Sequence, residues 1–443
     1  MAGRRLSAPL LLSTVLAANI GAGTTVGAAG LAYTEGVSAW WWNGSAALGS
    51  LGLAFWVGPR MWRLASDHGF YTIGDYLEFR YSPTVRGLVA TLIWFGTLAI
   101  LAGQLIAGAA VLAAVADVSK LTGVLIGGVV MTVYFAAGGL LGSAWVNLIQ
   151  LVVLIGGFLV AVPLLSSSIG TPAISGLTPP HDDYWSIMYS TGSGRSGWAM
   201  IALFTPAFIV SPGLVQKAYG AASERVVRVG IGTQALVLMA FGCLPVFFGI
   251  AARAANLQIE LPDEALPTLL ATELPVFVGA LGLAAVFSAE VSTCDAILFM
   301  LATSLSKDLY KRFLNPAADD RRLLTVARLA AFAGGAGGVL LAIQLETILD
   351  ALSIFYSLLG VSLFVPVVAG LMTRRGGAPE ALASIAAGIA TLLLVHFGTV
   401  QKGIGFLSAN LLGLLAAALG FGAVMMIRGQ RPGASGNVHG THL

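Results

Sequence analysis

Charge is scarce in this chain. Asp, Glu, Lys and Arg make up 10% of its 443 residues, where a soluble domain carries about 25%. That deficit excludes an ordinary water-exposed surface. Cysteine is almost absent: Cys243 and Cys294 both fall in apolar stretches, so neither a disulfide framework nor a thiolate metal cluster follows. The five histidines are dispersed. His396 stands alone near the end of an apolar run, His439 and His442 are too sparse to bind metal, and no Ser-His-Asp spacing occurs. An enzyme is therefore not expected, and neither is a nucleic-acid or obligate protein partner.

Apolar residues dominate instead, at 57% of the chain, with a mean hydropathy of +0.88. Glycine is abundant at 56 residues, as where membrane helices pack closely. Twelve apolar runs approach the ~20 residues needed to cross a bilayer. They cover 8–32, 38–58, 86–116, 121–139, 143–165, 196–217, 229–253, 274–306, 323–344, 348–372, 379–397 and 404–427. The chain reads as an all-α polytopic membrane protein.

The basic residues set the orientation. With a cytoplasmic N-terminus, 19 Lys and Arg fall on inner segments and only Lys120, Arg195, Arg253 and Lys402 outside. The positive-inside rule then puts both termini in the cytoplasm, in the cell (inner, plasma) membrane. Arg4 and Arg5 before an apolar run also have the form of a signal peptide. The run continues past the AAN site, however, and cleavage would upset the charge alternation.

No soluble domain is evident. The outer loop from Ser166 to Gly197 reads as a connection, and Gln258 to Glu273 as an acidic outer loop. Residues 428–443 form a polar, Gly-rich tail expected to be disordered and too short for a signalling domain.

Two spans are irregular. The first carries AANIGAGTTVGAAG at 17–30, with Thr24 and Thr25 among glycines. The sixth carries FTPAFIVSPGLVQK at 204–217, with Pro206, Pro212 and Gly213. Interrupted helices at matching positions of two halves point to a transporter site, where unwound carbonyls hold cations. Spans one and six match if spans one to five and six to ten are repeats of opposite orientation. Gly and Pro are also common in ordinary membrane helices; the matching offset is what favours a functional break.

The eighth span holds the polar cluster. At about 100° per residue, Ala289, Ser292, Thr293 and Ala296 share one face. Small residues allow close approach and two hydroxyls offer oxygen ligands. Back-bonding to the preceding turn is the ordinary use of such hydroxyls. Of 20 acidic residues, all but Glu290 and Asp295 can sit in loops or at span ends. No Lys or Arg is forced to similar depth, so each carboxyl must be protonated, hydrogen-bonded or faced by a cation.

These residues resemble the sodium:solute symporter family. Ser292-Thr293 followed by Asp308-Leu309-Tyr310 resembles that family's eighth-span core helix. Ala17-Ala18-Asn19-Ile20 resembles its first core helix. Gly138-Gly139-Leu140 with Trp145 to Gln150 resembles its Gly-Gly…Trp-Thr-Asp pattern. The resemblance implies a LeuT-like 5+5 inverted-repeat bundle with helices one and six broken. It implies a ten-helix transport core at 1–373 (repeats at about 8–165 and 196–372) followed by two further helices at 374–427. It also implies sodium-coupled symport of a small organic solute, with H+ coupling through Glu290 or Asp295 as the alternative.

Residue by residue, the resemblance implies sodium ligands from the carbonyls of Ala17, Ile20 and Ala289 and the hydroxyls of Ser292 and Thr293. It implies a solute site among Asn19, Gly21, Thr24, Gln104, Phe204, Thr205 and Tyr356. Two departures stand out. The family's usual fifth-span Asp is Asn147 here, and Asp295 sits one turn beyond the hydroxyl pair. Asn147, Asp295 and Glu290 are therefore expected to form a second cation or proton site. Glu290, where relatives carry an apolar residue, could instead read a cationic solute or hydrogen-bond to a neighbouring helix.

Overall fold

The computed structural model describes residues 5–170, 173–174, 176–188, 197–257, 259–398 and 407–428, with no side chains described for 134–148. Among these residues the regular elements are all helical, and an isolated parallel bridge joins Leu6 to Ala221. Nine helical segments among the described residues are long and apolar enough to cross a membrane, not counting the bent pair that begins with the interrupted first helix.

The first span is broken as its glycines and threonines predict. Helix α1 (Ala8–Asn19) stops, a 3-10 turn follows at Ala22–Thr24, and α2 (Val26–Glu35) resumes. Span two is α3 (Trp40–Gly52), which runs through a π turn at Leu53–Val57 into α4 (Gly58–His68). A short helix, α5 (Ile73–Arg80), starts at a capping box: Thr72 and Asp75 exchange side-chain-to-backbone bonds. Span three is α6 (Pro83–Ala116), with Ser82 as N-cap and Pro83 at the first position, where no backbone donor is needed.

Helix α7 (Lys120–Ile169) covers expected spans four and five without interruption. The short connection expected between them falls where no side chains are described. Span six is interrupted at Val210 and Ser211, between α8 (Gly197–Ile209) and α9 (Pro212–Tyr219). Pro206 stays inside α8 and Pro212 opens α9, so only the second proline marks the break.

Span seven is α10 (Glu224–Phe241) with α11 (Cys243–Ala254). The expected acidic outer loop at 258–273 is instead largely helical, with a 3-10 turn at Pro262–Glu264 and α12 (Ala265–Thr272). Asp263 explains the difference. It is buried, and its carboxylate accepts from the Ile348 amide at 2.8 Å, so this segment packs onto the bundle. Span eight is α13 (Val276–Thr303), ending in a π-helical stretch at Ser304–Leu314. Spans nine to twelve are α14 (Asp320–Gln344), α15 (Ile348–Met372), α16 (Ala378–Gly398) and α17 (Ala409–Ile427).

Two features tie the interrupted helices together at one end. Leu6 exchanges backbone bonds with Gly220 (3.1 Å) and Ala222 (3.0 Å), joining the residues before α1 to those after α9. Lys217 of α9 donates to the Thr14 carbonyl of α1. At the same end Arg80 donates to the carbonyls of Gly370, Thr373, Arg375 and Gly376, capping the end of α15. These exposed carbonyls have no intrahelical donors, so one planar guanidinium satisfies several at once.

Candidate cation and solute site

The break in the first helix frees specific oxygens. In an unbroken helix the Gly21 amide would donate to Ala17 and the Thr24 amide to Ile20. Here Gly21 N–H donates to Thr24 Oγ1 (2.9 Å) and Thr24 N–H to the Gly21 carbonyl (3.1 Å). The Ala17 and Ile20 carbonyls are left facing α13. Thr293 Oγ1 lies 3.3 Å from Ala17 O and 3.2 Å from Ile20 O. A hydroxyl has one proton and cannot satisfy both carbonyls. Three oxygens therefore converge around one hydrogen.

Neither hydroxyl back-bonds to its own helix. Ser292 Oγ is buried with no hydrogen-bond partner among the described residues. Ala289 is buried one turn before Thr293. Oxygen-only donors, two of them carbonyls with no helical partner, suit a hard monovalent cation, which prefers oxygen ligands.

Close approach makes this possible. A methyl group at Gly21 would lie 2.4 Å from Thr293 Oγ1 and 2.7 Å from Gln104 Oε1, so only glycine lets the broken segment reach α13 and α6. Gln104 in turn accepts from the Ala22 amide at 3.0 Å. Asn43, fully buried on α3, donates to the Thr24 carbonyl at 3.2 Å. Its role was not legible from the sequence, because Asn43 lies outside any interrupted segment.

A small cavity adjoins these groups. It encloses about 20 Å³, room for at most one water. Of the expected solute residues, Asn19, Gly21, Thr24, Gln104, Phe204 and Tyr356 line it, as does Thr293. Thr205 does not: its hydroxyl donates to the Ser45 carbonyl of α3 (3.1 Å), so it fastens α8 to α3. Trp42 and Phe208, which sequence reasoning missed, complete an aromatic wall. Phe204 packs edge-on against Trp42 at 4.5 Å between centroids, and Tyr356 lies 5.2 Å from Phe208. The lining carries no charged side chain.

The carboxylates lie elsewhere. Glu290 is fully buried but does not line the cavity. It meets the broken helix at Thr25, with Oε1 3.2 Å from Thr25 Oγ1. Oε2 has no partner among the described residues. Of the roles open to Glu290, the structure shows a contact with a neighbouring helix, through Thr25. Asp295 is also buried; its expected partner Asn147 lies outside the residues whose side chains are described.

A second polar cluster joins the end of span eight to the segment between spans two and three. Asp308 Oδ1 accepts from Arg86 (2.6 Å) and from Thr72 Oγ1 (2.8 Å). Arg86 also pairs with Asp75 and Glu78, both at 2.9 Å, and Glu78 pairs with Arg312. Burial alone would raise the Glu78 carboxyl. The hydrogen bonds from Arg312 and Arg86 outweigh it and hold that group below its ordinary range.

Comparison with known proteins gives one family. The sodium:solute symporter family profile matches residues 1–388. The uncharacterized symporter YidK of Escherichia coli (strain K12) is 28% identical over 353 residues, which is 74% of this chain and 60% of YidK. The high-affinity proline transporter PutP of Bacillus subtilis (strain 168) is 24% identical over 413 residues, 89% of this chain and 85% of PutP. Among solved structures, a substrate-bound outward-open sodium-coupled sialic acid symporter superposes with a TM-score of 0.80 at 19% identity, covering 96% of this chain and 91% of that one. The fold is the expected LeuT-like one.

Proposed function

Because the chain belongs to the sodium:solute symporter family, we propose that it is a secondary active transporter, not an enzyme. It couples inward sodium movement to uptake of a small organic solute. The observation that carries this reading is the convergence of Thr293 Oγ1 on the freed carbonyls of Ala17 and Ile20, beside the unpartnered Ser292 hydroxyl. Sodium between them, with Ala289 as a further ligand, would give all these oxygens one cation to face, while the Thr293 hydroxyl keeps its proton and turns it away. Asp295 with Asn147 forms a second cation site on this reading.

The solute occupies the cavity bounded by Asn19, Gly21, Thr24, Gln104, Phe204 and Tyr356, extended by Trp42 and Phe208. Its uncharged, aromatic lining favours a solute whose apolar face stacks on rings and whose polar groups reach Gln104 and Asn19. The cavity must widen to admit it. Sodium orders the broken helix that forms one wall, so each ligand raises affinity for the other by the same factor. The membrane potential adds about 2.3 kcal/mol per charge per 100 mV.

Residues 1–373 form the transport core in this reading, with 374–427 as two added helices and both termini cytoplasmic in the cell membrane. A thermal-shift screen of solutes in sodium and in potassium tests it. A stabilising solute should act only with sodium present. Equal stabilisation in both salts, with uptake into proteoliposomes indifferent to a sodium gradient, would overturn the proposal.

A further inference from the structure

A larger cavity lies outside the solute path, at the end of span eight that bears the basic residues. It encloses about 370 Å³ and is lined by Tyr71, Thr72, Asp75, Arg86, Lys307, Lys311, Arg312 and Pro316. Four of these residues are cations and one is a carboxylate. Adding Glu78 and Asp308, which pair with the lining arginines, gives four cations against three carboxylates. The carboxylates are all engaged by Arg86 and Arg312. Among the described residues no carboxylate lies within 4.0 Å of Lys307 or Lys311, and Lys307 sits over the Tyr71 ring at 4.6 Å. Both lysines line the cavity, and neither has a carboxylate partner among the described residues.

The local backbone produces this arrangement. Ser304–Leu314 is π-helical, and its i→i+5 bonding widens each turn. Residues four and five positions beyond Lys307 then fall on its own side, so Lys311 and Arg312 join it at one wall. Next in the chain, Phe313 (47% exposed) and Leu314 (76% exposed) present large apolar side chains outward. A charged recess beside exposed apolar residues, at the end of a membrane helix, matches an amphiphile rather than a free ion.

We propose that this cavity binds the phosphate of an anionic phospholipid headgroup from the cytoplasmic leaflet, with the acyl chains against Phe313 and Leu314. Basic pockets between membrane helices on this side bind such headgroups. The phosphate would bridge Lys307 and Lys311 of span eight to the Tyr71 hydroxyl of the segment before span three, since Thr72 already donates its hydroxyl to Asp308 and its amide to Asp75. It would thereby reinforce the link that Asp308 makes with Thr72 and Arg86. Free phosphate has the same charge chemistry but no use for the apolar flank.

Thermal unfolding in nanodiscs tests this. The full chain would be compared in phosphatidylcholine alone and with phosphatidylglycerol added, as wild type, as Lys307→Gln/Lys311→Gln, and as Arg321→Gln/Arg322→Gln. Native mass spectrometry would count retained lipid. Phosphatidylglycerol should raise the melting temperature of wild type and of the 321/322 variant by several degrees. The 307/311 variant should lose that shift and at least fivefold of the retained lipid, while keeping its sodium-dependent shift. Equal shifts in all three proteins would overturn the site. So would a full effect from soluble glycerol phosphate, which would assign the cavity to free phosphate. Should the double variant not fold, Lys311→Gln alone must still weaken lipid retention.

Discussion

Glu290 and Thr293 stand one helical turn apart on α13 and touch opposite sides of the break in the first helix. Thr293 Oγ1 faces the carbonyls of Ala17 and Ile20, before the break. Glu290 Oε1 meets Thr25 Oγ1, beyond it. Span eight thus holds both halves of the interrupted helix from adjacent turns.

Removing the hydroxyl wall should weaken sodium first. Thr293→Ala deletes the oxygen that faces both freed carbonyls, and Ser292→Ala deletes the unpartnered one. Each should raise the half-saturating sodium concentration about tenfold or more, a loss of about 1.4 kcal/mol. Sodium activation curves of uptake measure this. Curves superposing on wild type would remove these residues from the ion site.

Glu290 separates geometry from charge. Thr25 Oγ1 has one proton and lies 2.8 Å from the Gly21 carbonyl, so it has little left to donate to Glu290. Glu290→Gln supplies its own donor and should preserve sodium affinity. Glu290→Ala removes span eight's contact with Thr25 and should lower the maximal uptake rate. Loss of sodium activation in the glutamine variant alone would show that charge, not the bond, matters.

Gly21→Ala tests the close approach. The added methyl would sit 2.4 Å from Thr293 Oγ1, and overpacking of this kind costs about 1–3 kcal/mol. The variant should fold and reach the membrane, as judged by size-exclusion chromatography, yet lose most uptake. Full activity would mean that the break can shift without disturbing the site.

Arg86 and Asp308 form a buried pair, with side chains 11% and 7% exposed. Removing Arg86 leaves the Asp308 carboxylate buried without its cation, at a cost of about 3–5 kcal/mol, whereas removing Asp308 leaves Arg86 still paired with Asp75 and Glu78 and should cost less. Arg86→Leu/Asp308→Leu together should be less destabilising than the sum of the singles. A thermal-unfolding double-mutant cycle with additive losses would contradict the coupling.

Glu78 predicts acid sensitivity. Its folded carboxyl titrates lower than its unfolded one. The stability it contributes is therefore complete above the ordinary carboxylate value of about 4.3 and is lost as pH falls through the folded value. Between pH 6 and 8 it should add no pH dependence. Comparing the acid limb of stability in wild type and Glu78→Gln checks this, and the variant should show the shallower limb.

Much of the architecture was legible because the bilayer imposes it. Apolar runs of the required length gave the helices, and Gly21, Thr24 and Pro212 marked where two of them stop. Ser292 and Thr293 were legible as a stripe on one helical face. The solute wall was less so. Whether Phe204, Phe208 or Thr205 turns inward depends on how α8 rotates against α3 and α15, which no local pattern encodes. Trp42 sits in a run of three tryptophans, and sequence alone does not choose among them. Asp263 read as a loop acid because its partner, the Ile348 amide, is 85 residues away. The Asp308 cluster was missed for the same reason: Thr72 lies 236 residues from it, and a span-end carboxylate looks solvated until its neighbours are known.

The backbone pairing of Leu6 with Gly220 and Ala222 has a kinematic meaning. Two interrupted helices, one from each half of the chain, share a rigid joint at one end, and Lys217 pins it again at Thr14. Tilting one without the other must break these bonds, so an opening at this end either carries both helices together or gives up the joint first.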